Sequence, residues 1–570
     1  MIESVIFFFS GSGMVMLFIL FMRINVVGSK SKLVKHRSKE PGFVDLLIYA
    51  SVVDEGVIVG KDGSLMAAWA YQGVDSNSST EAERDQVSLQ INHALSRMGS
   101  GWMIHIDAVR KPAPGYSAKD DSHFPDPVSA AIDEERREFF ERVGTLYESN
   151  YVITATYLPP LLAQQKFVEL MFDDEGVPVD SKTRTIALLN HFKRECANIE
   201  SHLSSVFRMK RLKGKTITKE DNSSVNYDAF LRWIQFCISG LDHPVILPKN
   251  PIYLDALLSG QEFWGGVVPK IGQNFIQVVS IEGFPLASSP GLINSLADLP
   301  CLYRWSTRFI FMDTHEAVGH LEKFSKKWKQ KIRSFFDQVF NSHSSNVDQN
   351  AINMVSDAQA AIAETNSGEV AQGYYTSVVV LMSESRGDLE ASARQVAKAI
   401  NHLGFAARIE TINTIDAYLG SLPGHGVENV RRPLLNTMNL ADLMPSNTVW
   451  PGKNEAPCPM YPPMAPPLMH CTTQGATPFR LNLHVRDLGH TFMFGPTGAG
   501  KSTHLALIAA QLRRYEGMSI YCFDKGMSMY PLTKAVGGKH FSVAADDDSL
   551  AFCPRSEERR VGKECHNRCR

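Results

Sequence analysis

The segment Gly495–Ser502, with the sequence GPTGAGKS, is the feature that most restricts how this chain can fold. It fits the phosphate-loop pattern G-x-x-x-x-G-K-[ST] at every fixed position. Such a loop requires a buried strand before it and a helix after it. Thr491–Phe494 predicts the strand, Lys501–Tyr515 predicts the helix, and Ser519–Phe523 predicts a second strand. We therefore predict a parallel βαβ unit at this position.

The residue types in this loop suit a nucleoside triphosphate. Glycines accept positive φ angles and let backbone amides approach phosphate oxygens closely, and the helix N-terminus adds partial positive charge. Lys501 is predicted to reach the β- and γ-phosphates and to be the catalytic residue, and Ser502 to bind Mg²⁺. A glycine-rich turn with an unrelated lysine is the alternative, and the flanking elements argue against it. The predicted ATP-binding residues are Gly495, Pro496, Thr497, Gly498, Ala499, Gly500, Lys501 and Ser502.

Asp524, at the end of the second predicted strand, is a further candidate. A carboxylate at the C-terminal edge of such a strand lies where ligands bind in α/β sheets. It orients a metal ion or a water molecule, or it caps the turn that contains Lys525 and Gly526, and the sequence leaves both interpretations open. It does not fit the Walker B acid, which follows a hydrophobic strand and often precedes a glutamate.

The region after the loop is short for a RecA-like ATPase domain. Only 68 residues follow Ser502, and none of them forms a hydrophobic run that ends in Asp-Glu. The string Arg555–Cys565 resembles a translated sequencing adapter, so we expect the coding sequence to end near Pro554 and Cys565 and Cys569 to have no function. We predict a truncated domain over residues 469–554, an artefactual tail over 555–570, and poor hydrolysis by this chain alone.

The N-terminus predicts a membrane anchor. Ser4–Met22 contains 19 residues without a charge, which is long enough to cross a bilayer. A basic flank between Arg23 and Lys39 follows, so the positive-inside rule places the bulk of the chain in the cytoplasm. A signal peptide and a buried or interfacial helix are the alternatives. Nine scattered cysteines are typical of a reducing compartment.

We divide the rest of the chain by its sequence pattern. Strands are predicted at Val57–Val59, Leu65–Tyr71, Trp102–Val109 and Tyr151–Tyr157, and helices at Thr80–Met98 and Asp126–Glu148. The predicted fold class is α/β, with an N-terminal membrane helix, a mixed α/β and helical N-terminal region, and the start of a C-terminal RecA-like P-loop NTPase domain. The predicted divisions are a membrane helix with its flank over 1–40, a mixed α/β domain over 42–180, a helix-rich α/β region over 181–443, and a linker over 444–468.

The linker is predicted from proline, since eight prolines lie between Pro445 and Pro467. Proline removes backbone donors and fixes φ, so a regular helix or a central strand is excluded. The net charge of −2 gives no global basic field for nucleic acid. The basic stretch Lys323–Arg333 is interpreted as a solvated helix face, with a nucleic-acid or membrane patch as the alternative.

Several ordered motifs over residues 42–554 resemble the CagE/TrbE/VirB family of type IV secretion ATPases. These motifs are Val57–Ser64, Arg97–Trp102, Phe124–Pro127, Asp133–Arg137, Gly420–Gly424, Arg431–Leu443, Gly489–Thr491, the phosphate loop and Phe523–Gly526. The resemblance implies a hexameric ATPase at the bacterial inner membrane that powers conjugative pilus assembly and transfer. It also implies inner-membrane and channel subunits as partners, and it adds Thr503 to the nucleotide-binding residues.

Two features depart from the family pattern. The Walker B acid and the arginine finger have no counterpart in this sequence, and Met1–Glu40 precedes the shared region and could derive from another subunit. A DNA translocase of the FtsK or coupling-protein type, and a non-enzymatic scaffold with a vestigial loop, are the alternative functions. The cargo and direct nucleic-acid binding are left open.

Overall fold

The computed structural model describes residues 42–75, 79–159, 179–218, 224–248, 253–285, 288–332, 349–429, 433–473 and 475–542. The chain forms two compact units. Unit 1 comprises residues 1–111 and 149–449, and unit 2 comprises residues 112–148 and 450–570. Unit 2 thus combines residues 112–148, which we call the excursion, with the C-terminal segment that carries the phosphate loop.

Seventeen strands are present in the described residues. They are β1 Tyr49–Asp54, β2 Val57–Gly60, β3 Leu65–Gln72, β4 Trp102–Pro112, β5 Tyr147–Tyr157, β6 Arg208–Arg211, β7 Gly214–Thr218, β8 Ser224–Asp228, β9 Phe263–Trp264, β10 Lys270–Ile271, β11 Asn274–Gly283, β12 Tyr303–Phe311, β13 Gln372–Ser383, β14 Ala406–Ile409, β15 Leu434–Asn436, β16 Met469–Thr472 and β17 Pro478–Leu481.

Thirteen α-helices are present in the same ranges of the chain. They are α1 Phe43–Leu46, α2 Glu81–Leu95, α3 Pro127–Val143, α4 Val179–Leu203, α5 Ala229–Ser239, α6 Leu254–Leu258, α7 Thr314–Ile332, α8 Gln349–Ser367, α9 Arg386–His402, α10 Thr414–Leu419, α11 Thr437–Leu443, α12 Lys501–Leu512 and α13 Tyr530–Ala535.

Unit 1 is built on a sheet of thirteen strands. Its path is β1-β2-β3-β5-β4-β12-β13-β11-β10-β9, with β6 also paired to β3, β14 to β11 and β15 to β13. The long central pairs, such as β3 with β5 and β12 with β4 and β13, are antiparallel. Separate apolar clusters cover its two faces, one with α2, α4 and α9 and the other with α5, α6 and α10.

Local sequence signals explain where the helices begin. Thr80 accepts from the amide of Glu83 in a capping box before α2, and Asp126 accepts from Ser129 before α3. The helix and strand predictions for residues 57–109 are confirmed. The helix predicted over Asp126–Glu148 is shorter, because Gly144 takes a positive φ and ends it, and β5 starts at Tyr147.

The loop 420–429 of unit 1, which contains the motif Gly420–Gly424, is fixed by two buried arginines of β12. Arg304 donates to Asp107 Oδ1 at 2.9 Å and to the carbonyl and hydroxyl of Ser421 at 2.8 and 2.6 Å. Arg308 donates to four backbone carbonyls of the loop at 3.0–3.3 Å. Gly424 has a φ of +87° and a Cβ there would meet Met66 Sδ at 2.3 Å, so only glycine fits.

The proline-rich stretch contributes to the core of unit 2 between residues 450 and 468. Ala465 and Leu468 pack with Met469, Ile508 and Tyr515 in its apolar cluster. The hydroxyl of Tyr515 donates to the Pro466 carbonyl at 2.9 Å. In agreement with its composition, the stretch holds no regular helix. The predicted division of the chain at 180 and 444–468 stays a prediction.

No helix among the described residues is long and apolar enough to cross a membrane. The predicted membrane helix at 4–22 and its basic flank lie outside those residues, as do the predicted tail at 555–570 and the stretch 543–554 before it.

Candidate nucleotide-binding site

The phosphate loop has the backbone shape that its glycines predict. Gly498 and Gly500 adopt left-handed φ angles of 83° and 82°, and no atom lies within 4 Å of a Cβ built at either position. Gly500 is the N-cap of α12 and supplies no side-chain cap. The first amides of α12 are therefore left for an external acceptor, which is the arrangement that binds anions at helix N-termini.

Lys501 folds back over the loop. Its Nζ donates to the carbonyls of Gly495 at 2.8 Å and Pro496 at 2.7 Å. This places the ammonium group beside the open backbone of the loop at the positive end of α12. A phosphate oxygen is a stronger acceptor than these exposed carbonyls, so the amine can exchange one for the other.

The remaining predicted loop residues are also accessible. Pro496, Thr497, Ala499, Ser502 and Thr503 are all exposed. Ser502 directly follows the lysine as the second residue of α12, and its hydroxyl is a hard oxygen ligand of the kind that Mg²⁺ accepts. Within the described ranges no cluster of three His, Cys, Asp or Glu side chains forms a ready-made metal site. The residues present thus fit a phosphate, and Ser502 offers magnesium a hydroxyl.

Helix α12 itself is confirmed, but the two strands predicted beside it are not formed. Thr491–Phe494 and Ser519–Phe523 have no strand pairing in the described structure. A strand is stable only with hydrogen-bonded neighbours, and no described segment pairs with either one. Their aromatic side chains are open to solvent, with Phe494 87% and Phe523 100% exposed. The parallel βαβ prediction is therefore wrong for these residues as described, and the RecA-like domain stays a prediction.

Asp524 makes the contacts of a turn cap. Oδ1 accepts from the amide of Gly526 at 2.9 Å, and Oδ2 accepts from the amide of Met529 at 2.8 Å and the hydroxyl of Ser528 at 3.2 Å. Hydrogen bonds from the Met529 and Gly526 amides hold the pKa of Asp524 below its usual value. The geometry agrees with the capping interpretation, and the metal or water role stays a prediction.

The opposite end of α12 is held by two arginines that the sequence analysis did not single out. Arg513 Nε donates to Asp126 Oδ2 at 3.2 Å, and Arg514 Nη2 donates to Asp133 Oδ1 at 2.7 Å. Arg514 is buried, and its other amino group donates to the Pro467 carbonyl. Unit 2 thus joins α12 to α3, the helix of the excursion. The motifs Phe124–Pro127 and Asp133–Arg137 were the sequence signals in this region.

Comparison with known proteins identifies the family. Residues 56–165 match the N-terminal domain of the type IV secretion system ATPase VirB4/TrbE, and residues 215–431 match the CagE, TrbE, VirB family, a component of the type IV transporter system. Conjugal transfer protein TrbE of Rhizobium radiobacter is 46% identical over 530 residues, which cover 91% of this chain and 64% of that protein. The chain belongs to the CagE/TrbE/VirB family.

Further relatives are similar at lower identity. The type IV secretion system protein PtlC of Bordetella pertussis is 23% identical over 59% of this chain and 40% of that protein. The type IV secretion system protein virB4 of Brucella suis biovar 1 is 21% identical over 94% of this chain and 64% of that protein. The chain thus spans 64% of the length of both the Rhizobium TrbE and the Brucella virB4.

The two family models match regions of the chain that precede the phosphate loop and do not include the loop itself. Both matched ranges lie before residue 432, whereas the phosphate loop begins at Gly495. The first range contains the excursion with α3, and the second contains β12 and the loop 420–429. The resemblance noted in the sequence is confirmed at the level of the family.

Proposed function

We propose that this chain is an ATP-binding and ATP-hydrolysing motor subunit of a type IV secretion system that serves conjugal transfer. The observation that carries the proposal is the open, left-handed glycine loop at the uncapped N-terminus of α12. A chain of this ATPase family with such a loop has both the site and the context for nucleotide-driven work. In the complete protein this work would energise pilus assembly and substrate transfer.

Each group of loop residues would have a different role in binding the nucleotide. The backbone amides from Gly498 to Thr503 would donate to phosphate oxygens, and Lys501 would leave its two carbonyls to balance the phosphate charge. Ser502 would hold Mg²⁺, which supplies charge neutralisation on the phosphates when bound. Gly495, Pro496, Thr497 and Ala499 would shape the loop, while Asp524 keeps the following turn in place.

Substitution of Lys501 tests the proposal. We expect Lys501→Ala in the complete gene to abolish conjugal transfer, and in this chain to weaken binding of a fluorescent ATP analogue at least about tenfold, because the β- and γ-phosphates lose their cation. Lys539→Ala removes an exposed lysine outside the loop and the named motifs, and it is the matched control. If conjugal transfer is unchanged in Lys501→Ala, the result would favour the scaffold alternative and overturn the proposed motor function.

The location and the partners belong to the same proposal. The predicted anchor at 4–22 would place the subunit in the bacterial inner membrane with its bulk in the cytoplasm, as a homohexamer beside inner-membrane and channel subunits. Membrane fractionation of the complete protein with and without residues 1–40 tests the anchor. ATP turnover stimulated by DNA, together with strand translocation, would instead support the DNA-translocase alternative and direct nucleic-acid binding.

A further inference from the structure

A groove of about 460 Å³ lies on one face of the unit 1 sheet, far along the chain from the phosphate loop. Its floor is formed by neighbouring ends of β6, β3, β5 and β4, and helix α5 forms its wall. In the register of β6 with β3, Arg208 lies opposite Gln72 and Lys210 opposite Ala70, so these side chains share the groove face. We call this feature the β6 groove.

The rim of the β6 groove carries an excess of positive charge. Four cations line it, namely Lys111, Arg208, Lys210 and Arg232, against the single carboxylate of Asp242. Asp242 is shared by Lys111 at 3.4 Å and Arg232 at 2.5 Å. Arg208 and Lys210 are exposed and make no ion pair within the described residues. The rim therefore offers at least two free cations on one side to an anionic occupant.

The floor and wall of the groove are apolar and aromatic. Val109 and Val152 contribute to the floor, and Trp233 and Phe236 of α5 contribute to the wall. Trp233 is only 8% exposed, and its indole N–H has no hydrogen-bond partner in the described structure. An apolar pocket with a cationic rim suits a ligand that combines carboxylates with a large apolar side chain.

Strand β6 is also an edge of the sheet. Among the described residues its backbone is paired only with β3. An unpaired strand edge presents alternating N–H and C=O groups to another extended backbone. Cations on an edge strand also protect it from aggregation. That role accounts for Arg208 and Lys210, but not for Lys111 and Arg232 across the groove or for the apolar floor.

We propose that the β6 groove binds an extended acidic peptide segment of a partner protein. The segment adds to the edge of β6 opposite β3, sets its carboxylates against Arg208 and Lys210, and directs an apolar side chain over β6 toward the apolar floor of the groove. A peptide fits better than a nucleic acid or a lipid, because only a peptide continues the backbone hydrogen-bond ladder of β6. This inference is independent of ATP binding.

The test is binding of a fluorescein-labelled Glu-Glu-Phe-Leu-Glu-Glu peptide to the full chain, measured by fluorescence anisotropy without nucleotide. We expect saturable binding that Arg208→Glu with Lys210→Glu weakens at least about tenfold, because two attractive contacts become repulsive. Lys323→Glu with Lys327→Glu makes the same charge change at exposed sites on α7 and is the matched control, expected to leave binding unchanged. Arg208→Ala with Lys210→Ala gives a milder variant, expected to weaken binding severalfold, should the reversal impair folding.

A second peptide with alternate backbone nitrogens methylated tests the strand addition. It keeps every charge and blocks the ladder, so we expect about tenfold weaker binding. Equal loss in the α7 control would reduce the effect to bulk charge and overturn the proposal, as would equal binding of the methylated peptide. Absence of peptide binding, with oligothymidylate or phosphatidylglycerol vesicles binding instead and depending on Arg208 and Lys210, would assign the groove to another class of partner and overturn it.

Discussion

At the scale of single residues, the buried charges of unit 1 explain a motif that lies outside the phosphate loop. Arg304 and Asp107 are both almost fully buried and bonded to each other, and Arg304 also holds Ser421 of the loop 420–429. Burial raises the pKa of Asp107, while the charge of Arg304 opposes this shift. The loop is thus fixed by a charge pair in the interior, where an unpaired partner is costly.

Arg304→Met should therefore destabilise unit 1 strongly. The substitution leaves Asp107 buried without its cation and removes both contacts to Ser421, so we expect a loss of about 3–5 kcal/mol in the free energy of unfolding. Urea unfolding followed by circular dichroism measures it. Arg386→Met, which removes an exposed arginine paired with Glu390 on α9, should cost less than about 1 kcal/mol. Similar losses of unfolding free energy in the two variants would contradict a stabilising role for the buried Arg304–Asp107 pair.

His470 of unit 2 makes a prediction about pH. Burial, followed by the charges of nearby arginines, lowers its pKa to about 3. These arginines are Arg480, Arg514, Arg136 and Arg137. In the unfolded chain the pKa of the imidazole is about 6.5. Between that pH and about pH 3, the unfolded state therefore binds a proton that the folded state does not bind. Stability contributed by His470 is present above that window and is lost as the pH falls through it.

We expect unit 2 to lose about 2 kcal/mol between about pH 7 and pH 5 on account of this one residue. The pH dependence should be reduced by that amount in His470→Gln, as measured from urea midpoints at the two pH values. The control is His123→Gln, since His123 is exposed in the same unit. An unchanged pH dependence in His470→Gln would show that the imidazole is protonated in the folded protein.

At the scale of elements, the sequence predicted what depends on local pattern. The glycine loop and α12 follow from residues within one turn of each other, and β2 to β5 and α2 follow from local periodicity and capping. The strands predicted at Thr491–Phe494 and Ser519–Phe523 did not form, because a strand depends on partners that local pattern does not supply. The pairing of Asp133 with Arg514 links residues 381 positions apart and had no local signal.

These two unpaired segments lead to a prediction about association. Their aromatic side chains make an exposed apolar surface of the kind that drives self-association. We expect Phe492→Ser with Phe494→Ser to lower the self-association of this chain, measured by sedimentation velocity at several concentrations. Ile412→Ser and Val427→Ser remove comparably exposed apolar side chains from unit 1 and should have little effect. If both pairs of substitutions lower self-association equally, then association does not depend on the aromatic surface at 492–494.

At the scale of the whole molecule, chain order and spatial order differ. Residues 112–148 leave the sheet of unit 1 at the end of β4, contribute α3 to unit 2, and return as β5. Inside unit 2, Arg480 pairs with Glu148 and Arg514 with Asp133, so both anchoring arginines belong to the C-terminal segment and both carboxylates to the excursion. Stability of the segment that carries the phosphate loop should therefore depend on residues that lie far before it in the chain.

Arg514→Met tests this dependence. The substitution leaves Asp133 buried with one cation among the described residues, Arg137 at 3.7 Å, so we expect unit 2 to lose about 3 kcal/mol. Because two units need not unfold together, hydrogen exchange with mass spectrometry is the measurement. Peptides from 113–148 and from 450–542 should exchange faster together, while those from β12 and β13 keep their protection. Arg386→Met, at a surface pair with Glu390 on α9, should change neither set. Continued protection of 113–148 while 450–542 opens would mean that the excursion folds with unit 1, and that the phosphate-loop segment does not depend on it.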